Sequence, residues 1–392
     1  MTTSTTTDAL GASTEHDPAM ESVSVVIPCL NEAENIEQCV TAALAAIRQA
    51  KLLGEVIVAD NGSVDGSVEL AELAGARVVH EPARGYGNAY RAGFAPARGK
   101  YIVMADADLT YDFNEIPRLL ARLDEGADMV IGNRMRNIHP GAMPWHHRYI
   151  GNPLLSRLLN LLFHADVKDA HCGMRAFRRD RLEQLALRTS GMEFASEMVV
   201  RAAKEGLDIR QIHIEYHQRG GESKLSSFRD GWRHVRFLVL HSPRHLFIGP
   251  GAAMAMLGSL ISLLVLARID VLGRQWDLHS LIGGALLLIV GVQLICLGLC
   301  ALTFATHFMG ERDMWFDRAR ERLRLEHGLV LGGAIASAGL IAIVAILSDW
   351  VARGFGSLSQ ERIAIVAATL IVLGVQVIFS SFLISMLGLR RD

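Results

Sequence analysis

Two aspartates one residue apart, Asp106 and Asp108, follow the short apolar run YIVM at residues 101–104. Paired carboxylates at a strand end can face a Mg²⁺ or Mn²⁺ ion, because these hard cations take oxygen ligands and keep substrate phosphate in their coordination shell. A D-x-D tripeptide is common by chance and is a weak signal by itself. Its position directly after the fourth strand of an ordered series makes the signal specific. The pattern predicts a metal-dependent diphosphate site at Asp106, Ala107 and Asp108.

Polar residues also follow the first two predicted strands, in the segments PCLNE (residues 28–32) and DNGSVDGS (residues 60–67). Glu32 and Asp60 can accept hydrogen bonds there from a nucleobase N–H or a ribose hydroxyl. The structural alternative is that Asn31 or Asp65 caps a helix beside a tight glycine turn. Neither G-x-G-x-x-G after the first strand nor G-x-x-x-x-G-K-[ST] occurs, which argues against NAD-dependent and P-loop proteins.

The elements that must position these residues alternate between residues 22 and 220. Short β-branched runs occupy residues 22–28, 55–60, 76–81, 100–108 and 127–133, and helix-like segments occupy residues 31–50, 66–75, 87–97 and 114–126. Buried parallel strands alternating with helices predict a Rossmann-like α/β sheet. Ligands bind such sheets beyond the carboxyl ends of the strands, where all the residues named above fall.

Four apolar runs are each long enough to cross a bilayer core, which takes about 20 residues. They span residues 246–267, 280–306, 328–348 and 363–389, and none contains Lys, Arg, Asp or Glu. A single buried core helix is the alternative, but four such runs would swamp one soluble core. The sequence predicts a transmembrane domain over residues 246–392 of a multi-pass integral membrane protein.

Arginines cluster on one side of this predicted domain. They precede the first span, separate the second from the third and follow the fourth: Arg229, Arg233, Arg236, Arg244, Arg312, Arg318, Arg320, Arg322, Arg324, Arg390 and Arg391. The positive-inside rule then predicts a cytoplasmic N-terminal domain and C-terminus. Spans two and four share the phrases GVQLI (residues 291–295) and GVQVI (residues 374–378), which suggests two related hairpins whose Gln293 and Gln376 face the bundle.

The stretch between the two domains is amphipathic. Over residues 225–245, apolar side chains recur at helical spacing among arginines: Phe228, Trp232, Val235 and Val239. This pattern predicts an interfacial helix on anionic lipid, with an ordinary surface helix as the alternative.

Composition excludes several other classes of protein. The net charge of −2 and the scatter of acidic residues do not indicate a nucleic acid partner. Five cysteines without a C-x-x-C pair argue against a disulfide-built secreted fold. Residues 1–21 lack the basic and apolar regions of a secretory signal and are predicted to form a disordered tail.

Five motifs in order, at residues 28–32, 60–67, 84–89, 106–109 and 169–175, resemble the family 2 glycosyltransferases with a GT-A fold. Within that family the chain is similar to the polyprenyl (dolichyl) phosphate sugar synthases, over residues 22–224. The resemblance implies inverting transfer of a hexose from a nucleotide sugar to polyprenyl phosphate, giving a β-linked product. Segment 169–175 is closer to the glucosyl branch, which favours UDP-glucose over GDP-mannose as the donor.

The resemblance also implies roles for individual residues. Pro28, Glu32 and Asp60 match nucleoside-binding positions; Asp106, Ala107 and Asp108 match the metal and diphosphate site. Arg134 and Arg148 match arginines that hold the acceptor phosphate, and Arg219 and Lys224 match a segment that closes over the donor diphosphate. The chain departs from the family pattern at Thr110, where glutamine is common, and in the length of the segment at Arg219.

Rival interpretations follow from the same features. A processive polysaccharide synthase would also join such a domain to membrane helices, but the Q-x-x-R-W signature of that class is missing from the sequence. A non-catalytic scaffold or flippase component is disfavoured by the two aspartates and Lys224. The membrane hairpins are of a kind that packs against copies of itself, so a homo-oligomer is an open expectation. The histidine pairs His146–His147 and His213–His217 are interpreted as structural, since the sequence shows no cysteine or carboxylate partner for a metal.

Overall fold

The computed structural model describes residues 23–221, 227–270, 273–308, 316, 324–355, 357 and 360–388. The predicted tail and Lys224 lie outside the described residues. The chain divides into two units, Met1–Val235 and Arg236–Asp392.

The described part of the first unit contains a mixed seven-stranded sheet in the order β3-β2-β1-β4-β6-β5-β7. Its strands are β1 (Val23–Cys29), β2 (Gly54–Asp60), β3 (Arg77–His80), β4 (Tyr101–Met104), β5 (Met129–Ile138), β6 (Arg175–Arg178) and β7 (Ile209–Tyr216). Strands β1 to β4 pair in parallel, as predicted, and β5 pairs in parallel with β7. Strand β6, which is not among the strands predicted from the sequence, runs antiparallel between β4 and β5.

Helices cover the sheet and continue into the second unit. In chain order they are α1 (Ile36–Gln49), α2 (Ser67–Leu73), α3 (Tyr86–Phe94), α4 (Ile116–Asp124), α5 (Asn152–Phe163), α6 (Arg179–Gln184), α7 (Phe194–Lys204), α8 (Ser227–Leu240), α9 (Gly249–Leu266), α10 (Leu278–Phe308), α11 (Leu325–Ala352) and α12 (Glu361–Leu387). Because helices shield both faces, β1 is a run of buried apolar residues without polar alternation.

Helix α4 illustrates how the local sequence specifies these elements. Pro117 stands in its first turn, where a missing N–H is tolerated. Its buried residues recur at positions i, i+3, i+4 and i+7: Ile116, Leu119, Leu120 and Leu123. Each such side chain contributes about 2 kcal/mol when fully buried. Gly126, at φ 103°, ends the helix in a backbone conformation that favours glycine.

Among the described residues, four helices are long and apolar enough to cross a membrane, at Arg244–Leu266, Leu278–Phe308, Leu325–Ala352 and Glu361–Leu387. They match the four predicted spans. Helix α8 forms within the predicted interfacial stretch, and Trp232 on it is 60% exposed. Its contact with lipid stays a prediction.

Glycines bring the helices of each hairpin into close contact. A Cβ at Gly291 of α10 would lie 2.4 Å from the backbone nitrogen of Ala255 in α9. A Cβ at Gly374 of α12 would lie 2.5 Å from the backbone nitrogen of Ala336 in α11. Because Gly291 and Gly374 begin the repeated phrases, the two hairpins are built in the same way, with small residues at the helix–helix contact.

The repeated glutamines share one environment. Gln293 and Gln376 line a cleft of about 520 Å³ between α10 and α12, together with Cys296, Cys300 and Ser380. The cleft gathers polar side chains in a domain that is otherwise apolar, where an isolated amide in hydrocarbon would be costly. This location agrees with the predicted orientation toward the bundle.

Candidate active site

The two aspartates that follow β4, called here the carboxylate pair (Asp106 and Asp108), are held by hydroxyl groups. Asp106 Oδ1 accepts hydrogen bonds from the hydroxyls of Tyr86 at 2.9 Å and Tyr90 at 3.3 Å. Asp108 Oδ1 accepts from the Thr110 hydroxyl at 2.5 Å. The residue where the family commonly has glutamine therefore orients the second carboxylate through its hydroxyl.

Electrostatics at the carboxylate pair favour a cation. Burial, followed by the charge of Asp108, raises the pKa of Asp106 to about 6, although the Tyr86 hydroxyl acts in the opposite direction. Burial makes it costly to ionise both neighbouring carboxylates, even though Arg134 acts to lower the pKa of Asp106. The oxygen donors fit Mg²⁺ or Mn²⁺, and a divalent ion would favour the ionised form of Asp106.

Segment 169–175 packs directly on the first carboxylate. A Cβ at Gly173 would lie 2.4 Å from Asp106 Oδ2, so only glycine fits without displacing that oxygen. The Gly173 N–H donates to the Tyr111 hydroxyl at 2.7 Å. Burial raises the pKa of the neighbouring Cys172 thiol to about 12, which keeps it protonated and unsuited to act as a nucleophile.

Arg134 lies beside the carboxylate pair in a buried ion pair with Asp169. Its Nε and Nη2 donate to the two oxygens of Asp169 at 2.8 and 2.9 Å. Its Nη1 lies 3.4 Å from the Tyr111 hydroxyl, and its guanidinium carbon lies 5.0 Å from the centre of the Tyr216 ring. Because Asp169 engages Nε and Nη2 and the contact of Nη1 with Tyr111 is long, Nη1 is the donor of Arg134 best placed to bind a substrate.

Arg148 occupies a different setting, in the π-helical turn His147–Gly151. Its guanidinium lies 5.4 Å from the Tyr149 ring, and it forms no salt bridge within the part of the chain that the structure describes. Burial, His146 and then Arg134 lower the pKa of His147, so this turn lies within electrostatic reach of Arg134. Large apolar side chains around the turn are exposed: Trp145, Tyr149, Ile150 and Leu154.

The segment at residues 219–225 is called here the closing segment, and its described residues 219–221 lie near the second carboxylate. Arg219 Nε lies 3.5 Å from Asp108 Oδ2, and the Gly220 N–H donates to the Asp108 carbonyl at 3.0 Å. Asn35 Nδ2 donates to the Gly220 carbonyl at 3.1 Å, which connects the segment to the start of α1. The described part of the closing segment therefore lies against Asp108.

Comparison with known proteins identifies the family. The model described as "Glycosyl transferase family 2" matches residues 24–186, and "Glycosyltransferase family 2 C-terminal transmembrane region" matches residues 299–388. The low-salt glycan biosynthesis hexosyltransferase Agl6 of Haloferax volcanii is 41% identical over 383 residues, which cover 97% of this chain and 92% of that protein. The chain belongs to glycosyltransferase family 2. It is a multi-pass membrane enzyme with a GT-A-like domain.

Two further relatives have names that include a lipid phosphate. A dolichyl-phosphate hexose transferase of Haloferax volcanii is 34% identical over 54% of this chain and 90% of that protein. An undecaprenyl-phosphate 4-deoxy-4-formamido-L-arabinose transferase of Enterobacter sp. is 30% identical over 72% of this chain and 87% of that protein.

In this glycosyltransferase Asp60 is engaged with its own turn. Its carboxylate accepts hydrogen bonds from Ser63 N at 3.0 Å and Gly62 N at 3.2 Å, and lies 3.2 Å from His80 Nδ1. Burial would raise the pKa of Asp60, but these hydrogen bonds lower it, so the group is charged. A direct contact with a nucleoside needs one of these bonds to be shared.

Glu32 and Pro28 lie on the neighbouring strand end. Pro28 pairs with Ala59 across the β1–β2 register, one position before Asp60. Glu32 is half-buried, and its N–H donates to Ser67 Oγ at 2.9 Å. Asp65 accepts from the N–H groups of Ser67 and Ala33. The residues at the N-caps of α2 and α1 are Gly66 and Asn35, so helix capping by Asp65 or Asn31 is not observed.

Sequence analysis missed several residues that shape the site. Tyr86 and Asp169 lie inside the family motifs, so their positions marked them as candidates. Their roles were missed because their partners, Asp106 and Arg134, are distant in sequence. A second omission is a buried network in which Ser196 Oγ lies 3.1 Å from His171 Nε2 and 2.8 Å from His234 Nδ1. Burial lowers the pKa of His234 to about 4, so it is neutral and connects the first part of α8 to segment 169–175.

Proposed function

We propose that this glycosyltransferase transfers a hexose from a nucleotide sugar to polyprenyl phosphate at the cytoplasmic face of the membrane. UDP-glucose is the proposed donor, with GDP-mannose as the alternative, and inversion at the anomeric carbon gives a β-linked polyprenyl-phosphate sugar. The observation that carries the proposal is the carboxylate pair with Arg134 and Arg219 beside it, in a chain that also carries membrane helices. The names of two relatives support a lipid phosphate as the acceptor.

The reaction asks little of a general base. A phosphate monoester is already anionic at neutral pH, so its oxygen can attack the anomeric carbon as the bond to the donor diphosphate breaks. The enzyme must orient the two anionic substrates and reduce their repulsion. Displacement in one step also needs no protein nucleophile, in agreement with the protonated state of Cys172.

The metal and the basic residues would neutralise the negative charge of different parts of the two substrates. Asp106 and Asp108 would hold Mg²⁺ or Mn²⁺, which supplies charge stabilisation to the departing nucleoside diphosphate. Arg219, with Lys224 from the same closing segment, would cover that diphosphate. Arg148 and the Nη1 group of Arg134 would hold the acceptor phosphate, a task that suits the planar guanidinium.

A lipid acceptor is consistent with the surroundings of Arg148. Exposed aromatic and aliphatic side chains beside a basic residue favour the boundary between headgroups and acyl chains. Trp145 and Tyr149 are 67% and 68% exposed on either side of Arg148. The arginines on α8 and between the spans support a cytoplasmic location of this surface.

The test is incorporation of radiolabelled sugar into chloroform-soluble lipid by the purified full-length protein. UDP-glucose and GDP-mannose are offered separately with polyprenyl phosphate and Mn²⁺ or Mg²⁺. We expect metal-dependent labelling from one donor, its loss in Asp108→Asn, and a raised KM for polyprenyl phosphate in Arg148→Gln. Asp180→Asn and Arg178→Gln are matched controls, since these two residues form an exposed pair with each other.

Three results would contradict the proposal. Labelling by Asp108→Asn at the wild-type rate would exclude the carboxylate pair from catalysis. Extension of an oligosaccharide acceptor without lipid labelling would support the processive alternative and remove the proposed role of Arg148. An unchanged KM for polyprenyl phosphate in Arg148→Gln would also remove that role.

A further inference from the structure

Two imidazoles and a carboxylate meet at the carboxyl ends of β5 and β7, with Glu215 among the last paired residues of β7 and His139 and His217 just after the strands. The His139 N–H donates to the Tyr216 carbonyl at 3.0 Å, which extends the β5–β7 ladder and sets His139 beside His217. The two rings stack with centroids 4.4 Å apart. Glu215 Oε2 lies 3.2 Å from His139 Nε2 and 3.6 Å from His217 Nε2. We call these three residues the His-Glu-His cluster.

The cluster has the donor types and spacing of a transition-metal site. One ligand atom from each of its three residues lies within 4.8 Å of the others. At Zn–N distances of about 2.0–2.1 Å, neighbouring ligands of a tetrahedral ion are about 3.4 Å apart. The two nitrogen–oxygen distances, 3.2 and 3.6 Å, bracket that value.

The chemistry of the ligands separates the cluster from the carboxylate pair. Imidazole nitrogen suits Zn²⁺ and similar ions, whereas Mg²⁺ takes oxygen ligands. The cluster side chains are 38–55% exposed, so an ion can enter from solvent and keep an open fourth position for water.

Strand geometry also separates the two sites. Tyr216 lies between Glu215 and His217, and successive side chains of a strand point to opposite faces. The Tyr216 ring contacts Arg134 and the Tyr111 ring, on the side of the carboxylate pair. The side chains of Glu215 and His217 meet each other on the other face. The cluster is therefore distinct from the predicted diphosphate site.

We propose that His139, Glu215 and His217 form a second metal site of this enzyme, selective for Zn²⁺-type ions over Mg²⁺. The site joins two segments that leave the sheet toward the catalytic residues. The chain after His139 leads to Arg148, and the chain after His217 leads to Arg219. The His217 N–H also donates to the Thr110 carbonyl at 3.0 Å, so the backbone of this ligand contacts the turn that carries Asp108. The sequence-level interpretation of His213 and His217 as a pair is replaced by His217 with His139.

The experiment measures Zn²⁺ by equilibrium dialysis against full-length protein in detergent, prepared without a polyhistidine tag and with excess Mg²⁺ present. We expect one Zn²⁺ per chain, retained in Asp106→Asn/Asp108→Asn. In His139→Gln/His217→Gln the affinity falls by more than about tenfold, since two of three ligands are lost. Glu215→Gln keeps the shape of the side chain and weakens binding too.

The control is His146→Gln/His147→Gln, which removes the other histidine pair and leaves Zn²⁺ binding unchanged. Thermal unfolding of each metal-free variant checks the fold, which these partly exposed substitutions should preserve. Three outcomes overturn the proposal: no stoichiometric Zn²⁺ on the wild-type chain, unchanged binding in His139→Gln/His217→Gln, or loss of binding in Asp106→Asn/Asp108→Asn. The last result would assign the ion to the carboxylate pair. The assay of sugar transfer into lipid is a separate experiment, which tests the proposed transferase function and not the zinc site.

Discussion

Replacing Gly173 with alanine tests how closely the first carboxylate is held. The added Cβ would lie 2.4 Å from Asp106 Oδ2 and 3.0 Å from the Tyr111 hydroxyl. Gly173 is not among the glycines with positive φ, so alanine can adopt its backbone conformation and the effect is steric. Ordinary contacts begin at 3.4 Å, so the Asp106 oxygen must move by about 1 Å.

The size of the expected effect follows from that displacement. A shift of about 1 Å at a catalytic group costs about 100-fold in rate, which corresponds to about 2.7 kcal/mol of activation free energy. Overpacking of a well-packed site lowers the free energy of unfolding by about 1–3 kcal/mol. We therefore expect a folded Gly173→Ala enzyme with kcat/KM reduced about 100-fold and with weaker Mn²⁺ dependence, because the metal ligand has moved.

The assay follows the initial rate of sugar transfer into lipid across a Mn²⁺ titration, with thermal unfolding measured in parallel. Gly283→Ala is the matched control, since a Cβ at this position of α10 meets nothing within 4 Å. A Gly173→Ala enzyme with the wild-type rate and the wild-type Mn²⁺ dependence would refute the reasoning. It would mean that Asp106 can move without cost, and that its contact with segment 169–175 does not position it.

Three further predictions address charge and packing. Mn²⁺ affinity should fall about tenfold from pH 7 to pH 5, because a pKa of about 6 leaves only about one Asp106 in eleven ionised at pH 5; a flat calorimetric titration series would contradict this. Asp169→Asn leaves Arg134 buried without its charge partner, and should lower the free energy of unfolding in denaturant by about 3–5 kcal/mol. Gly374→Leu should lower the unfolding temperature in detergent, because its side chain would meet the α11 backbone, whereas Gly333→Leu enters open space and should not. Equal shifts would contradict the close packing of α12 on α11 at Gly374.

Elements with strong local patterns were predictable. Strands β1 to β4 are short, buried and β-branched, and such runs form parallel strands wherever helices can cover them. Strand β6 was not predictable in the same way. Its four residues, RAFR, begin and end with arginine. Arg175 is fully buried, and its guanidinium donates to the carbonyls of Cys172, Ala195 and Ala170. Only pairing with β4 and β5 makes this segment a strand.

The sequence alone determined where a metal-binding carboxylate pair could lie and how many times the chain can cross a membrane. Both are local properties, since one depends on the residues that follow a buried strand and the other on the length of an apolar run. The tertiary structure decided which distant residues meet. Asp169 joins Arg134, Gly173 lies against Asp106, and His139 stacks on His217. These contacts depend on strand order and register, which hydrophobic periodicity does not specify, because the same pattern fits many sheet topologies.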